Sequence, residues 1–205
     1  LGAGKAYVPF NPKFPASRNL SILEHSSVGV VIVGKEAYDS VGAVFSETTR
    51  DLIAIVEEDV EELPQSLQLL SNVQWVSLRS YSPGQAAPAT ESRYAYLLFT
   101  SGSTGVPKGV PIKHTNVRAY VDYLLQRYKP SPDDRFSQMF DLTFDLSIHD
   151  LFLCWGCGGS LYCVNDKQAM APARFIIKND LTFWFSVPSV ALFMKRFNML
   201  REQCF

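Results

Sequence analysis

Apolar residues fall along this chain in short dense runs separated by stretches of helical spacing. That alternation is the mark of parallel strands joined by crossover helices, an α/β fold. Val28–Val33 (VGVVIV) and Leu52–Val56 (LIAIV) have the continuous apolar character of strands buried on both faces, and Val73–Leu78 reads as a third strand. Helical patterns cover Pro15–His25 and Lys35–Arg50, and the acids of Glu57–Glu62 read as a solvated surface. Ser80–Ser92, with Pro83, Gly84 and Pro88, reads as a surface connection that divides the chain into regions 1–85 and 86–205. Beyond it the pattern predicts a strand at Tyr94–Phe99 and an extended piece at Lys108–Lys113. Next comes a helix capped by His114, Thr115 or Asn116, whose apolar face (Val117, Tyr120, Val121, Leu124, Leu125, Tyr128) is core. Strands at Arg135–Phe140, Ser160–Val164 and Leu181–Val187 and helices at Asp145–Trp155 and Val190–Leu200 complete the reading.

Composition narrows the class. With 205 residues and 47% hydrophobic content the chain can bury a sizeable core, and its net charge of −1 offers no footprint for nucleic acid or an anionic membrane. No apolar run has the length of a bilayer span and no signal peptide opens the sequence. Cys154, Cys157, Cys163 and Cys204 do not make a disulfide framework, which suits a cytoplasmic setting. The lone Cys154-Trp-Gly-Cys157 pair has no matching ligand pair, so the two thiols read as small buried hydrophobes and no metal site is expected.

The densest chemistry lies at Leu97–Gly109, LLFTSGSTGVPKG. A buried strand empties into a loop with four hydroxyls (Thr100, Ser101, Ser103, Thr104), two glycines (Gly102, Gly105), and then Pro107 and Lys108. Glycine permits close backbone approach, hydroxyls and N–H groups donate, and the lysine adds a point charge, so the loop is built to hold phosphate. The alternative is a flexible Ser/Gly linker. A Walker loop is excluded, because Lys108 stands between Pro107 and Gly109 with no hydroxyl after it. Gly2-Ala3-Gly4-Lys5 also fails: no hydroxyl follows Lys5, and Tyr7 stands where a dinucleotide motif needs glycine.

TSGSTGVPKGV resembles the phosphate-loop signature of the adenylate-forming superfamily, which includes acyl-CoA synthetases, luciferases and the adenylation domains of nonribosomal peptide synthetases. Gly2–Arg18 (GAGKAYVPFNPKFPASR) is similar to the upstream element of its amino-acid-activating members, and Phe144–Phe152 (FDLSIHDLF) to their "FDxSVWExF" element. The second of these is also close to that of D-alanine–carrier protein ligases. The resemblance implies part of an N-terminal domain made of two Rossmann- or flavodoxin-like parallel-sheet subdomains with flanking helices. It also implies ATP-dependent activation of an amino acid carboxylate, with ATP and Mg2+ required. An aminoacyl adenylate forms, then passes to the phosphopantetheine thiol of a carrier protein. Thr100, Ser101, Gly102, Ser103, Thr104, Gly105 and Lys108 would hold the phosphates, and Lys108 is the catalytic candidate.

Phe-Asp occurs twice in FDLTFDLS, so the residues alone leave Asp141 and Asp145 both open as the functional acid. The family element favours Asp145, because Phe152 stands seven residues beyond it; the matching acid pairs with the substrate's α-ammonium group. An acid amid Phe144, Leu146, Ile148 and Leu151 is expected to face an apolar pocket. There, leaving its charge unpaired costs about 3–5 kcal/mol. His149, one helical turn on, and Ser189 match positions lining the side-chain pocket, with His149 standing where the family usually carries tryptophan. A structural, hydrogen-bonded histidine is the plain alternative, as an N-capping role is for Asp145. Two other functions stay open: an acyl- or aryl-CoA ligase, against which Asp145 argues, and a non-catalytic module that binds ATP or a partner. The family's adenine, magnesium-acid, hinge and C-terminal lysine elements have no match here. The chain is therefore expected to be an internal piece of a longer enzyme and inactive by itself.

Overall fold

The computed structural model describes residues 4–80, 93–101 and 107–200. Its contacts divide the chain into two compact units, Leu1–Lys113 and His114–Phe205.

In the first unit, helix α1 (Ala16–Ser26) follows Pro15 and stops where Ser27 turns left-handed (φ 54°). Strand β1 (Val30–Ile32), a 3-10 turn at Lys35–Ala37 and helix α2 (Tyr38–Glu47) come next. Strand β2 (Leu52–Val56), a 3-10 turn at Val60–Glu62, the short helix α3 (Gln65–Gln68) and strand β3 (Val73–Ser77) follow. The three strands form one parallel sheet in the order β1-β2-β3, with Val30 opposite Ile53 and Ala54 opposite Trp75. Side chains alternate across a strand, so Leu52, Ala54 and Val56 enter a core completed by Leu23, Val44, Phe45, Leu67 and Val73.

The expected two-sided burial of β1 is not what the fold contains. Val30 is 53% and Ile32 80% exposed, and Ile53 beside them on β2 is 38% exposed, because the core packs on one face of these strands only. The acidic segment is also less solvated than its composition suggests. Glu58 accepts a short hydrogen bond from the Tyr38 hydroxyl, which burial and that carboxylate together push up to about 12. Asp59 accepts from Ser77, and Arg79 reaches Glu62 at 3.2 Å.

Strands β4 (Tyr94–Thr100) and β5 (Lys108–Lys113) form an antiparallel hairpin. Tyr7 extends it through a parallel bridge to Tyr96, its N–H donating to the Ala95 carbonyl and its own carbonyl accepting from Leu97.

The second unit opens with helix α4 (His114–Tyr128), which starts directly after β5. His114, Thr115 and Asn116 therefore lie inside the helix rather than capping it. Strand β6 (Arg135–Gln138), helix α5 (Ser147–Cys157) and strand β7 (Ser160–Cys163) form a parallel β-α-β unit. Gly158 ends α5 in the left-handed region (φ 79°), where a side chain is strained. Gly159 has no room for one: a Cβ there would lie 2.9 Å from both the Asp134 carbonyl oxygen and Phe136 Cε2. Helices α6 (Asp166–Ala169), with an Asn165–Gln168 capping box, α7 (Pro172–Lys178) and α8 (Pro188–Arg196) follow. Cys154 lies in the core of α5, and the Cys157 thiol donates to its carbonyl.

Two expectations are corrected here. Leu181–Val187 is not a buried strand; only Phe183 bridges, to Phe136. The apolar face of α4 is core at Leu124 alone, whereas Tyr120 and Tyr128 stay 43% and 47% exposed. Tyrosine buries its ring body while keeping a polar tip in reach of partners, and the Tyr120 hydroxyl meets His149 of α5.

Candidate active site

The apolar run of β4 ends at Phe99, and polarity switches at once: Thr100 and Ser101 are exposed. Strand register sets Thr100 directly opposite Lys108, which is also exposed, so two hydroxyls and a cation share one end of the hairpin. That donor set fits a phosphate group. Gly102, Ser103, Thr104 and Gly105 lie outside the described residues. Gly109 is a packing requirement: a Cβ there would stand 3.1 Å from Leu97 Cδ1 and 3.2 Å from Phe99 Cζ.

The two acids that the sequence leaves open differ in their surroundings. Asp141 Oδ1 accepts from the Thr143 N–H at 2.8 Å and from its hydroxyl at 2.5 Å, which commits it to its own turn. Asp145 sits in the turn before α5, its carbonyl accepting from the Ile148 N–H. Its carboxylate has no hydrogen-bond or ion-pair partner among the described residues. The apolar enclosure expected around Asp145 is not observed; the side chain is exposed, because α5 begins only at Ser147.

His149 lies one turn further along and is half-buried. Its ring centroid is 4.2 Å from that of Phe185, and Tyr128 meets it edge-on at 6.5 Å. Phe185 in turn touches Phe140, which touches Phe144, so an aromatic frame runs from α4 across α5 to the segment before α8. Tyr120 completes it, its hydroxyl 2.9 Å from His149 Nδ1. Burial lowers the His149 pKa and raises that of Tyr120, so both groups are neutral near pH 7. Two helical turns bring Val121 and Gly156 together in the same contact: a Cβ on Gly156 would lie 3.0 Å from Val121 Cγ1. Ser189 is exposed in the first turn of α8, four residues beyond Phe185.

One acid escapes the motif-based choice. Asp150 is 2% exposed, and its Oδ2 has no hydrogen-bond partner. A signal for it exists in the sequence: Ser147, Asp150, Leu151 and Cys154 recur at helical spacing and all are buried. Burial raises the Asp150 pKa from 3.8 to about 8. An unfolded chain loses this proton at the lower value and the folded chain only at the higher one. Between them the folded state holds the extra proton, so its stability falls as pH rises. Urea titrations at about pH 5 and about pH 8 should therefore show a lower midpoint at the higher pH, and Asp150→Asn should flatten that slope.

Among the described residues, no group of three His, Cys, Asp or Glu side chains stands close enough to hold a metal ion. None of their helices is long and apolar enough to cross a membrane.

Residues 1–203 match the family model described as AMP-binding enzyme, and the chain belongs to that family. It is 34% identical over 197 residues to the L-proline–[L-prolyl-carrier protein] ligase of Pseudomonas fluorescens, covering 95% of this chain and 37% of that protein. A crystal structure of IdnL7 superposes with a TM-score of 0.81 at 32% identity, over 98% of this chain and 39% of its own. The Vibrio cholerae adenylation domain AlmE, in complex with glycyl-adenosine-5'-phosphate, gives 0.83 at 25% identity, over 97% and 38%. The chain thus spans well under half the length of each of these relatives.

Proposed function

We propose that the natural protein carrying residues 1–205 activates an amino acid with ATP. The substrate carboxylate oxygen attacks the α-phosphorus, the bond from that phosphorus to the α,β-bridging oxygen breaks, and pyrophosphate leaves with that oxygen as the aminoacyl adenylate forms. The mixed anhydride then yields its acyl group to a carrier-protein thiol, releasing AMP. Membership of the AMP-binding family and likeness to carrier protein ligases support the reaction class.

In this reading Thr100, Ser101, Gly102, Ser103, Thr104, Gly105 and Lys108 hold the phosphates. Lys108 stabilises negative charge on them as the bond to phosphorus changes hands, a positioning and electrostatic task. Magnesium, when present, would supply further charge neutralisation on the phosphates, and no described residue set is assigned to it. Asp145 receives the α-ammonium group, while His149 and Ser189 border the side chain. The observation that carries the reading is the contrast between the acids: Asp141 is spent in its own turn and Asp145 is unpartnered. A cytoplasmic setting suits it, since ATP and a reduced thiol are consumed and Cys154, Cys157 and Cys163 are all free thiols.

The test is ATP–pyrophosphate exchange by the natural protein with a panel of amino acids and of fatty and aryl acids. Exchange that depends on an amino acid supports the reading. Exchange driven only by acids lacking an amine would replace it with an acyl- or aryl-CoA ligase, and none at all with a binding module.

A further inference from the structure

We infer that Tyr120 is a positioning residue that fixes His149 as a one-directional hydrogen-bond donor, so that the site favours an amino acid whose side chain carries a hydroxyl or amide oxygen. The substrate part of this inference rests on the amino-acid-activating reading above; the tautomer part does not.

The Tyr120 hydroxyl lies 2.9 Å from His149 Nδ1. A neutral imidazole has one nitrogen that donates and one that accepts, and the partner of one decides what the other can do. Tyr120 has a single hydroxyl proton, and His149 is its only hydrogen-bond partner among the described residues. An imidazole nitrogen is a much stronger acceptor than a phenolic oxygen. The Tyr120 O–H therefore donates to Nδ1, and the ring proton resides on Nε2. Burial keeps both partners in the neutral forms this arrangement needs. The groups electrostatically near the pair are Tyr128 from α4, Asp145 from the preceding turn and Asp150 from α5. Asp150 is itself held neutral, so no buried anion competes for a second ring proton.

Nε2 has no hydrogen-bond partner among the described residues, and the ring is only half-buried. Phe185 and Tyr128 border the ring with carbon faces and edges, which offer no acceptor. A donor framed by apolar surface discriminates sharply: a ligand acceptor satisfies it, whereas an aliphatic isostere desolvates it without replacement. Asp145, four residues earlier on the same turn of chain, supplies the opposite selectivity for an amine. A side-chain oxygen and an α-ammonium on one small molecule meet both demands.

Two measurements on separate footing test this. The chain has three histidines, so selective 15N-histidine labelling with long-range 1H–15N correlation isolates His149 once His25 and His114 are assigned by substitution. The expected result is a protonated Nε2 and a pyridine-like Nδ1, and in Tyr120→Phe a mixture of both tautomers. A protonated Nδ1 in the unaltered chain, or an unchanged tautomer in Tyr120→Phe, overturns the inference without bearing on adenylation. In the natural protein, exchange is compared within isosteric pairs, threonine against valine and asparagine against leucine. The oxygen-bearing member of a pair should be preferred by tenfold or more in kcat/KM, with the preference reduced about tenfold in Tyr120→Phe through KM rather than kcat. Equal use of both members overturns the specificity assignment, while absence of all amino-acid-dependent exchange overturns the proposed function and leaves the tautomer result standing.

Discussion

Asp145→Ala in the natural protein is expected to lower kcat/KM for the amino acid by about 10- to 100-fold, mostly through KM. The size follows from where the acid sits. A fully buried, unpaired charge would cost about 3–5 kcal/mol, but Asp145 is exposed in the turn ahead of α5. A charge-assisted hydrogen bond at such a position contributes about 1.5–3 kcal/mol. The loss should be specific: acids without an amine, if they support any exchange, should be used as well by the variant as by the original. Asp141→Ala is the internal control, since its carboxylate serves the Thr143 turn. Exchange kinetics on both variants check the prediction. Unchanged amino-acid dependence in Asp145→Ala would shift the role to Asp141 or the function to a CoA ligase.

Phe136→Ala should be the most damaging single change to stability in the His114–Phe205 unit. Phe136 is 1% exposed on β6 and stacks on Phe183 at 4.5 Å with an 18° tilt. Beside it the Ser137 N–H donates to the Phe183 carbonyl. Removing a buried phenylalanine costs about 3–5 kcal/mol in lost transfer energy and cavity formation. That is a large share of the total stability of a domain, so urea unfolding should show a strongly reduced midpoint or no cooperative transition. Phe136→Leu, which keeps most of the volume, should lose far less. A midpoint for Phe136→Ala close to that of the unaltered chain would refute the placement of this ring at the centre of the core.

Much of this fold is legible in the residues themselves, and the exceptions have physical causes. Leu52–Val56 is a strand at the residues its apolar run marks, but only one of its faces is core: Leu52, Ala54 and Val56 are buried while Ile53 is 38% exposed. VGVVIV has the same character, and the same open face leaves Val30 and Ile32 of β1 exposed beside Ile53. Local sequence encodes the preference for extended backbone, not whether the second face of the sheet is covered. Leu181–Val187 pairs with β6 at Phe183 alone, and its rings, Phe183 on Phe136 and Phe185 on His149, make tertiary contacts in place of the longer ladder its apolar run predicts. The hydroxyl- and lysine-bearing hairpin end and the Asp145–His149 spacing could be read from motifs. Tyr120 could not, since it lies 29 residues from His149 and its face carries the ordinary spacing of a core helix. Asp150 was readable only by weighing the burial stripe of α5 above the motif's more familiar acid.

The antiparallel register that sets Thr100 against Lys108 has a kinetic and thermodynamic corollary. Gathering the two ends of a loop is an entropic expense, and here the pairing of β4 with β5 meets it before any anion arrives. On the proposed function, affinity for a phosphate at that end is coupled to the integrity of strands that never touch it. In that reading a residue such as Gly109, buttressed by Leu97 and Phe99, would act on nucleotide capture from a distance: enlarging it would disturb the strand pairing rather than remove a donor.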